Sequence, residues 1–121
     1  MIYIGNDIVE NARIKRLIKV YGNKFLNKIY SSKEIKSIKA SNIHISLSGK
    51  FAAKEASAKA LMSSGLADRV SFKDIQVLTK ANGCPYVEWN CFNTCKIKNF
   101  KISISHSDQY ANAIALIELF E

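Results

Sequence analysis

Apolar and polar positions recur with two different periods along the chain, and the order of those periods predicts its elements. "IYIGNDIVE" opens with apolar, β-favouring residues and predicts a strand ending near Asp7, with Gly5 permitting close backbone approach. In the next stretch Ile14, Leu17, Ile18 and Tyr21 recur at helical spacing, while Arg13, Lys15, Arg16 and Lys19 fill the remaining arc. Gly22 predicts the end of that helix. Phe25, Ile29 and Tyr30 continue an apolar stripe, and "SSKE" at 31–34 fits a capping box from Ser31 to Glu34 that starts a short third helix. A central helix is expected to start among residues 43–48 and to end before Gly65. Its apolar face of Phe51, Ala52, Ala56, Ala60 and Leu61 is built mainly from small residues, so a neighbour can pack closely against it.

From Val70 onward the pattern changes to strands. "VSFKDIQVLT" predicts a strand, "KANGCP" a turn and "YVEW" the returning strand. "FKISISHSDQYANAIALIELF" predicts two more strands joined around "SHSDQY". There is no repeat, linker or low-complexity tract, and 121 residues suit a single domain over 1–121. The expected class is α+β: an antiparallel sheet packed with a long central helix and shorter N-terminal helices.

Composition narrows the possibilities. A 48% hydrophobic chain with one proline reads as globular rather than disordered. No apolar run approaches the roughly 20 residues needed to span a bilayer. The N-terminus lacks a basic leader and meets an acid at Asp7, so neither a membrane span nor a signal peptide is expected. Cys84, Cys91 and Cys95 match no common zinc spacing, and an odd number without a leader reads as reduced cytosolic thiols, to which no function is assigned. Eighteen Lys plus Arg against ten Asp plus Glu give a net charge of +8. That excess attracts polyanions: nucleic acid, anionic lipid, a phosphorylated cofactor or an acidic protein.

The candidate chemistry lies in a few residues. Asp7 is expected beside a glycine at a strand end, and Glu55 mid-helix among alanines. Two carboxylates that converge without matching bases need a cation between them, and magnesium suits such a pair because it takes its remaining ligands from water and phosphate. Linear spacing does not show that they meet; on spacing alone Asp7 is a turn acid and Glu55 an exposed helix charge. Lys59, four residues after Glu55, shares its helix face, either as a surface pair or as a phosphate contact. His106, between Ser105 and Ser107 where a strand must turn, could donate to a phosphate oxygen, move a proton or simply hold the turn. The "GxSxG" elbow, the "GxxxxGK[ST]" loop and "GxGxxG" are all absent.

Taken in order, "GNDIVE", "GKFAAKEASAKA", "SFKDIQV", "NGCPYV" and "ISISHSDQYANAIAL" resemble the bacterial holo-(acyl-carrier-protein) synthases of the 4′-phosphopantetheinyl transferase superfamily, from Ile2 to about Glu118. The resemblance implies that superfamily's fold and an enzyme of fatty acid biosynthesis. Such an enzyme moves the 4′-phosphopantetheine arm of coenzyme A to a serine of apo acyl carrier protein and releases adenosine 3′,5′-bisphosphate. It implies Mg2+ at Asp7 and Glu55, and phosphate or cofactor contacts from Lys59, from Lys50 or Lys54, and from Ser105, His106, Gly83 and Pro85. Glu55, Lys59 and His106 are then the residues expected to act in catalysis, with Glu55 or a magnesium-bound water beside it as the base. Arg13, Lys15, Arg16 and Lys24 are expected to dock the acidic carrier protein, and a cytoplasmic homotrimer with sites between subunits is expected to assemble. Three positions depart from the pattern: Asn6 where an apolar residue is usual, Lys50 where arginine is common, and Cys84 where a longer polar residue is frequent. The rival readings are a nucleic-acid-binding module using Arg13 to Lys19, and an inactive trimeric homologue. The first is disfavoured by the lack of any nucleic-acid motif, and the second by the intact Asp7, Glu55 and Lys59.

Overall fold

A computed structural model describes residues 1–38, 42–89 and 94–121. Strand β1 (Ile2–Glu10) leads into three helices, α1 (Asn11–Tyr21), α2 (Asn23–Ile29) and α3 (Ser32–Lys36). The long helix α4 (Ile43–Ser64) follows, then a hairpin of β2 (Ile75–Thr79) and β3 (Pro85–Trp89), and finally β4 (Ile97–His106) and β5 (Tyr110–Leu119). The class is α+β, as the periodicities predict. The first strand joins the last ones: β1, β5 and β4 form an antiparallel sheet in that order, while β2 and β3 form a separate two-stranded sheet.

Helix punctuation follows the sequence. Gly22 (φ 55°) caps α1, Ser31 and Glu34 make the reciprocal capping box of α3, and Gly65 (φ 79°) ends α4. Two boundaries differ from expectation. Strand β1 continues past Asp7 to Glu10, because Ile8, Val9 and Glu10 find partners in Asn112, Ala111 and Tyr110 of β5. The strand expected from Val70 begins only at Ile75, because Phe72–Asp74 wind into a 3₁₀ turn whose Phe72 carbonyl accepts a hydrogen bond from Lys54 Nζ at 2.7 Å.

Alternation along the strands places the core. Gly5 and Val9 of β1, and Ala111, Ala113, Ala115 and Ile117 of β5, turn inward, where Ala52, Ala53, Ala56 and Ala60 of α4 are also buried. These small residues allow a very close fit: a Cβ on Gly5 would lie 1.9 Å from the Ala56 carbonyl oxygen. Ile14, Leu47, Leu61, Ile75 and Ile117 are fully buried, each contributing about 1.5–3 kcal/mol of transfer free energy. Helix α4 is enclosed well beyond a single apolar face, since Lys50 and Lys54 are buried as well. The two sheets touch where Trp89 packs edge-on to Phe100, with centroids 4.8 Å apart. The outer face of the larger sheet leaves Ile2, Ile4, Ile8 and Ile114 exposed, at 45–63%. Among the described residues no helix is long and apolar enough to cross a membrane.

Candidate active site

Asp7 shares the inward face of β1 with Gly5, and its side chain is only 11% exposed. Glu55 directly precedes Ala56, whose carbonyl abuts Gly5. The missing side chain at position 5 therefore brings the strand and the helix close enough for the Asp7 and Glu55 carboxyls to stand within hydrogen-bonding reach. Burial, followed by the hydrogen bond and charge of Asp7, pushes Glu55 above the usual carboxylate range; Lys59 and Arg13 pull the other way. The meeting of these two acids is what linear spacing left open.

Lys59 completes the cluster. From one turn further along α4, its Nζ donates to Asp7 Oδ1 at 3.2 Å and to the Asn6 carbonyl at 3.0 Å. The unusual Asn6 is tied to β5, since Asn112 Nδ2 donates to Asn6 Oδ1 and to the Asp7 carbonyl, both at 2.9 Å. Asn112 thus fixes the backbone that carries Asp7, and nothing in the linear sequence pairs it with position 6.

A groove opens between the β2–β3 hairpin and the α4–β4 wall, apart from the pocket that Asn6, Asp7, Lys59 and Asn112 line. Val77, Thr79, Gly83 and Pro85 line one side, and Gly49, Lys50, Ile104 and His106 the other. Gly83 adopts φ 90°, a conformation that suits glycine. Gly49 admits the histidine: a Cβ there would come 2.4 Å from His106 Nε2. Lys50 is buried and its Nζ donates to the Val77 carbonyl, and that burial lowers its pKa against the opposing charge of Glu34. The groove holds about 260 Å³, below the roughly 300–1,000 Å³ typical of sites that enclose a ligand.

Two expected phosphate contacts are placed elsewhere. Lys54 is wholly buried in an ion pair with Glu34 at 2.7 Å and donates also to the Phe72 and Ile75 carbonyls, so its ammonium is consumed inside the protein. Ser105 lies next to His106 on β4, and neighbours on a strand face opposite sides of the sheet. It is paired in register with Asn112 and does not line the groove. The residues expected to dock a carrier, Arg13, Lys15, Arg16 and Lys24, are all exposed on α1 and α2. Arg13 also stacks its guanidinium over the Phe51 ring, 5.9 Å from the centroid, and lies near enough to lower the Glu55 pKa. It links the basic surface to the acids. Cys84 is an exposed thiol in the hairpin turn and Cys95 is exposed; Cys91 lies outside the described residues. No group of three or more His, Cys, Asp or Glu side chains converges among the described residues.

The family model of the 4′-phosphopantetheinyl transferase superfamily matches residues 3–115, which span both acids, Lys59 and the groove. The chain belongs to that superfamily. A holo-[acyl-carrier-protein] synthase of Protochlamydia amoebophila is 42% identical over 116 residues, covering 93% of this chain and 94% of the relative. The crystal structure of Helicobacter pylori holo-[acyl-carrier-protein] synthase in complex with coenzyme A superposes with a TM-score of 0.82 at 33% identity, over 95% of this chain and 99% of that one. The enzyme of the same name from Neisseria meningitidis gives a TM-score of 0.85 at 31% identity, over 98% and 99%. The α+β architecture is thus that of the phosphopantetheinyl transferases.

Sequence reasoning missed Glu34, Gly49 and Asn112 in this transferase. Glu34 was legible as a capping residue, but nothing in a capping box signals that the same carboxylate also meets a lysine twenty positions away. Gly49 carries a faint signal: a glycine inside an alanine-rich helix needs a packing reason.

Proposed function

We propose that residues 1–121 act as one catalytic domain that transfers 4′-phosphopantetheine from coenzyme A to a serine of apo acyl carrier protein, as a cytoplasmic step of fatty acid biosynthesis. The observation that carries this reading is the approach of Asp7 to Glu55 with Lys59 alongside. Two oxygen donors pressed together fit a hard divalent ion, and magnesium binds through one or two carboxylates with phosphates and water completing its shell. Asp7 and Glu55 are the residues that would hold Mg2+, which when bound supplies positive charge to the pyrophosphate oxygens.

The chain's own residues account for the rest. Lys59, half exposed beside the acids, can turn its ammonium toward the same phosphates. The groove of Lys50, His106, Gly83 and Pro85 receives the nucleotide end, with Lys50 and His106 as the donors to its phosphate. Lys54 and Ser105 have no part there, for the reasons of burial and strand face given above. In the reaction the serine oxygen bonds to the phosphorus bearing the pantetheine arm as the bridging P–O bond breaks, and adenosine 3′,5′-bisphosphate leaves. The serine proton passes to a carboxylate oxygen of Glu55 or to water beside it. In a loose transition state, positioning and charge neutralisation outweigh that proton transfer.

The carrier protein is acidic on this reading and meets Arg13, Lys15, Arg16 and Lys24. Association of three copies through the outer sheet face is supported by the exposed Ile2, Ile4, Ile8 and Ile114. It is supported also by a groove too small to enclose coenzyme A within one copy. Mass spectrometry of apo carrier protein incubated with the chain, coenzyme A and magnesium tests the activity. The carrier should gain the mass of phosphopantetheine, and an unchanged mass under conditions where a known synthase reacts refutes the proposal. Native mass spectrometry checks the trimer.

A further inference from the structure

Among the described residues the free edge of β2 is not closed by another strand. The Val77 N–H donates to Glu34 Oε2 at 3.0 Å, and its carbonyl accepts from Lys50 Nζ. Lys54 Nζ donates to the Ile75 carbonyl and to Glu34 Oε1, which also accepts from the Ser31 N–H. Three charged side chains from α3 and α4 thus do the work of a strand, and Glu34 and Lys54 are wholly buried. A buried ion pair contributes little net stability, because the desolvation of its charges offsets much of their attraction.

The location gives the staple its consequence. The wall of the groove that carries Val77, Thr79, Gly83 and Pro85 belongs to the small sheet, whereas Lys50 and His106 belong to α4 and to the larger sheet. Among the described residues no strand pairing joins the two sheets, so the width of the groove is set there by packing, as at Trp89 on Phe100, and by this staple. Thr79 pairs with Pro85 two residues beyond Val77, so a shift of β2 is carried directly to the turn.

We propose that Glu34, acting through Lys54, Lys50 and the Val77 backbone, is a positioning residue that sets the groove for the nucleotide end of the donor. The inference rests on the reading of that groove as the coenzyme A site. Glu34 touches no substrate. It aligns the hairpin wall and, by holding Val77, the Lys50 side chain that lines the groove. The acids at positions 7 and 55 lie outside the staple and are left in place.

The test uses the full chain with two variants. Glu34→Gln alone strands the buried Lys54 charge, and its instability is expected whatever else the residue does. The double variant Glu34→Gln with Lys54→Met removes both charges at similar volume and keeps the fold. In it, the KM for coenzyme A and the dissociation constant for adenosine 3′,5′-bisphosphate should rise roughly ten- to hundredfold. The kcat and the magnesium activation constant should stay within about twofold. Amide exchange in β2 and β3 should quicken while β1 and β5 stay protected. A folded double variant with unchanged KM and unchanged hairpin exchange overturns the proposal, and so does loss of cooperative folding, which makes the pair a support of the whole fold. If the wild type transfers nothing and binds no adenosine bisphosphate, the functional reading fails instead, and the exchange measurement still decides the staple.

Discussion

Gly5→Ala is the smallest change that reaches the centre of this molecule. The added Cβ would lie 1.9 Å from the Ala56 carbonyl oxygen, 2.8 Å from the Ala60 nitrogen and 2.9 Å from the Ala56 carbonyl carbon. All three are backbone atoms, so no rotamer change relieves the clash. Cβ atoms do not approach heavy atoms closer than 3.0 Å, and α4 must therefore retreat from β1 by about 1.1 Å. Overpacking of this kind costs about 1–3 kcal/mol, which at this chain length lowers the melting temperature by roughly 4–12 °C. The larger effect is on chemistry. Asp7 is two residues from Gly5 and Glu55 one residue from Ala56, so the displacement separates the two carboxyls; a misplacement of 1 Å costs about a hundredfold in rate. The assay is release of adenosine 3′,5′-bisphosphate at saturating carrier protein, alongside thermal unfolding. Gly65→Ala is the control: φ 79° strains any side chain, at about 1–2 kcal/mol, yet nothing lies within 4 Å of the new Cβ. It should lower the melting temperature by a similar amount and leave transfer within twofold. Equal losses of activity in the two variants, or wild-type activity in Gly5→Ala, would refute the reasoning.

Glu55→Gln keeps the shape and removes the charge; transfer should fall at least about a hundredfold, equivalent to about 2.7 kcal/mol of transition-state stabilisation. Magnesium should no longer raise the melting temperature of this variant, and normal turnover refutes the assignment. Tyr30 is buried with its hydroxyl donating to the Leu47 carbonyl at 2.8 Å, and burial, then the charge of Glu34, raises its pKa. A raised pKa in the fold gives stability that is complete below the unfolded value near 10 and is lost above it. Wild type should therefore exceed Tyr30→Phe by about 1 kcal/mol at neutral pH, lose ground by about 1.4 kcal/mol per pH unit above pH 10, and cross below it. A constant difference in chemical denaturation from pH 7 to 11.5 contradicts this. If Arg13, Lys15, Arg16 and Lys24 dock an acidic carrier, raising salt from about 0.05 to 0.5 M should raise the carrier KM several-fold and move magnesium activation much less. A carrier KM that ignores salt removes the docking assignment.

What the sequence made legible was what local physics decides. Gly22, the Ser31–Glu34 box and Gly65 end or begin helices because a positive φ or a reciprocal hydrogen bond acts within a few residues. The meeting of Asp7 with Glu55 was not derivable from spacing, since it depends on a missing side chain at Gly5 facing a carbonyl 51 residues away. The resemblance to known sequences supplied that pairing; periodicity did not. Lys54 fails for the opposite reason. Helix α4 carries two charged pairs at i, i+4, Lys50 with Lys54 and Glu55 with Lys59, about 140° apart around the axis. In sequence the two stripes are equivalent. In the fold one stripe is buried against α3 and β2, and the other reaches the edge of β1. The difference comes from Glu34, a residue outside the helix, whose carboxylate makes burial of Lys54 tolerable by supplying the counter-charge. A helical charge pattern is therefore a statement about surface only when no acid elsewhere in the chain can follow it inside. Burial of the pair leaves the basic field a carrier would meet undiminished: Lys54 and Glu34 cancel within the core, so the net charge of +8 rests on the other residues, with Arg13, Lys15, Arg16 and Lys24 exposed on α1 and α2.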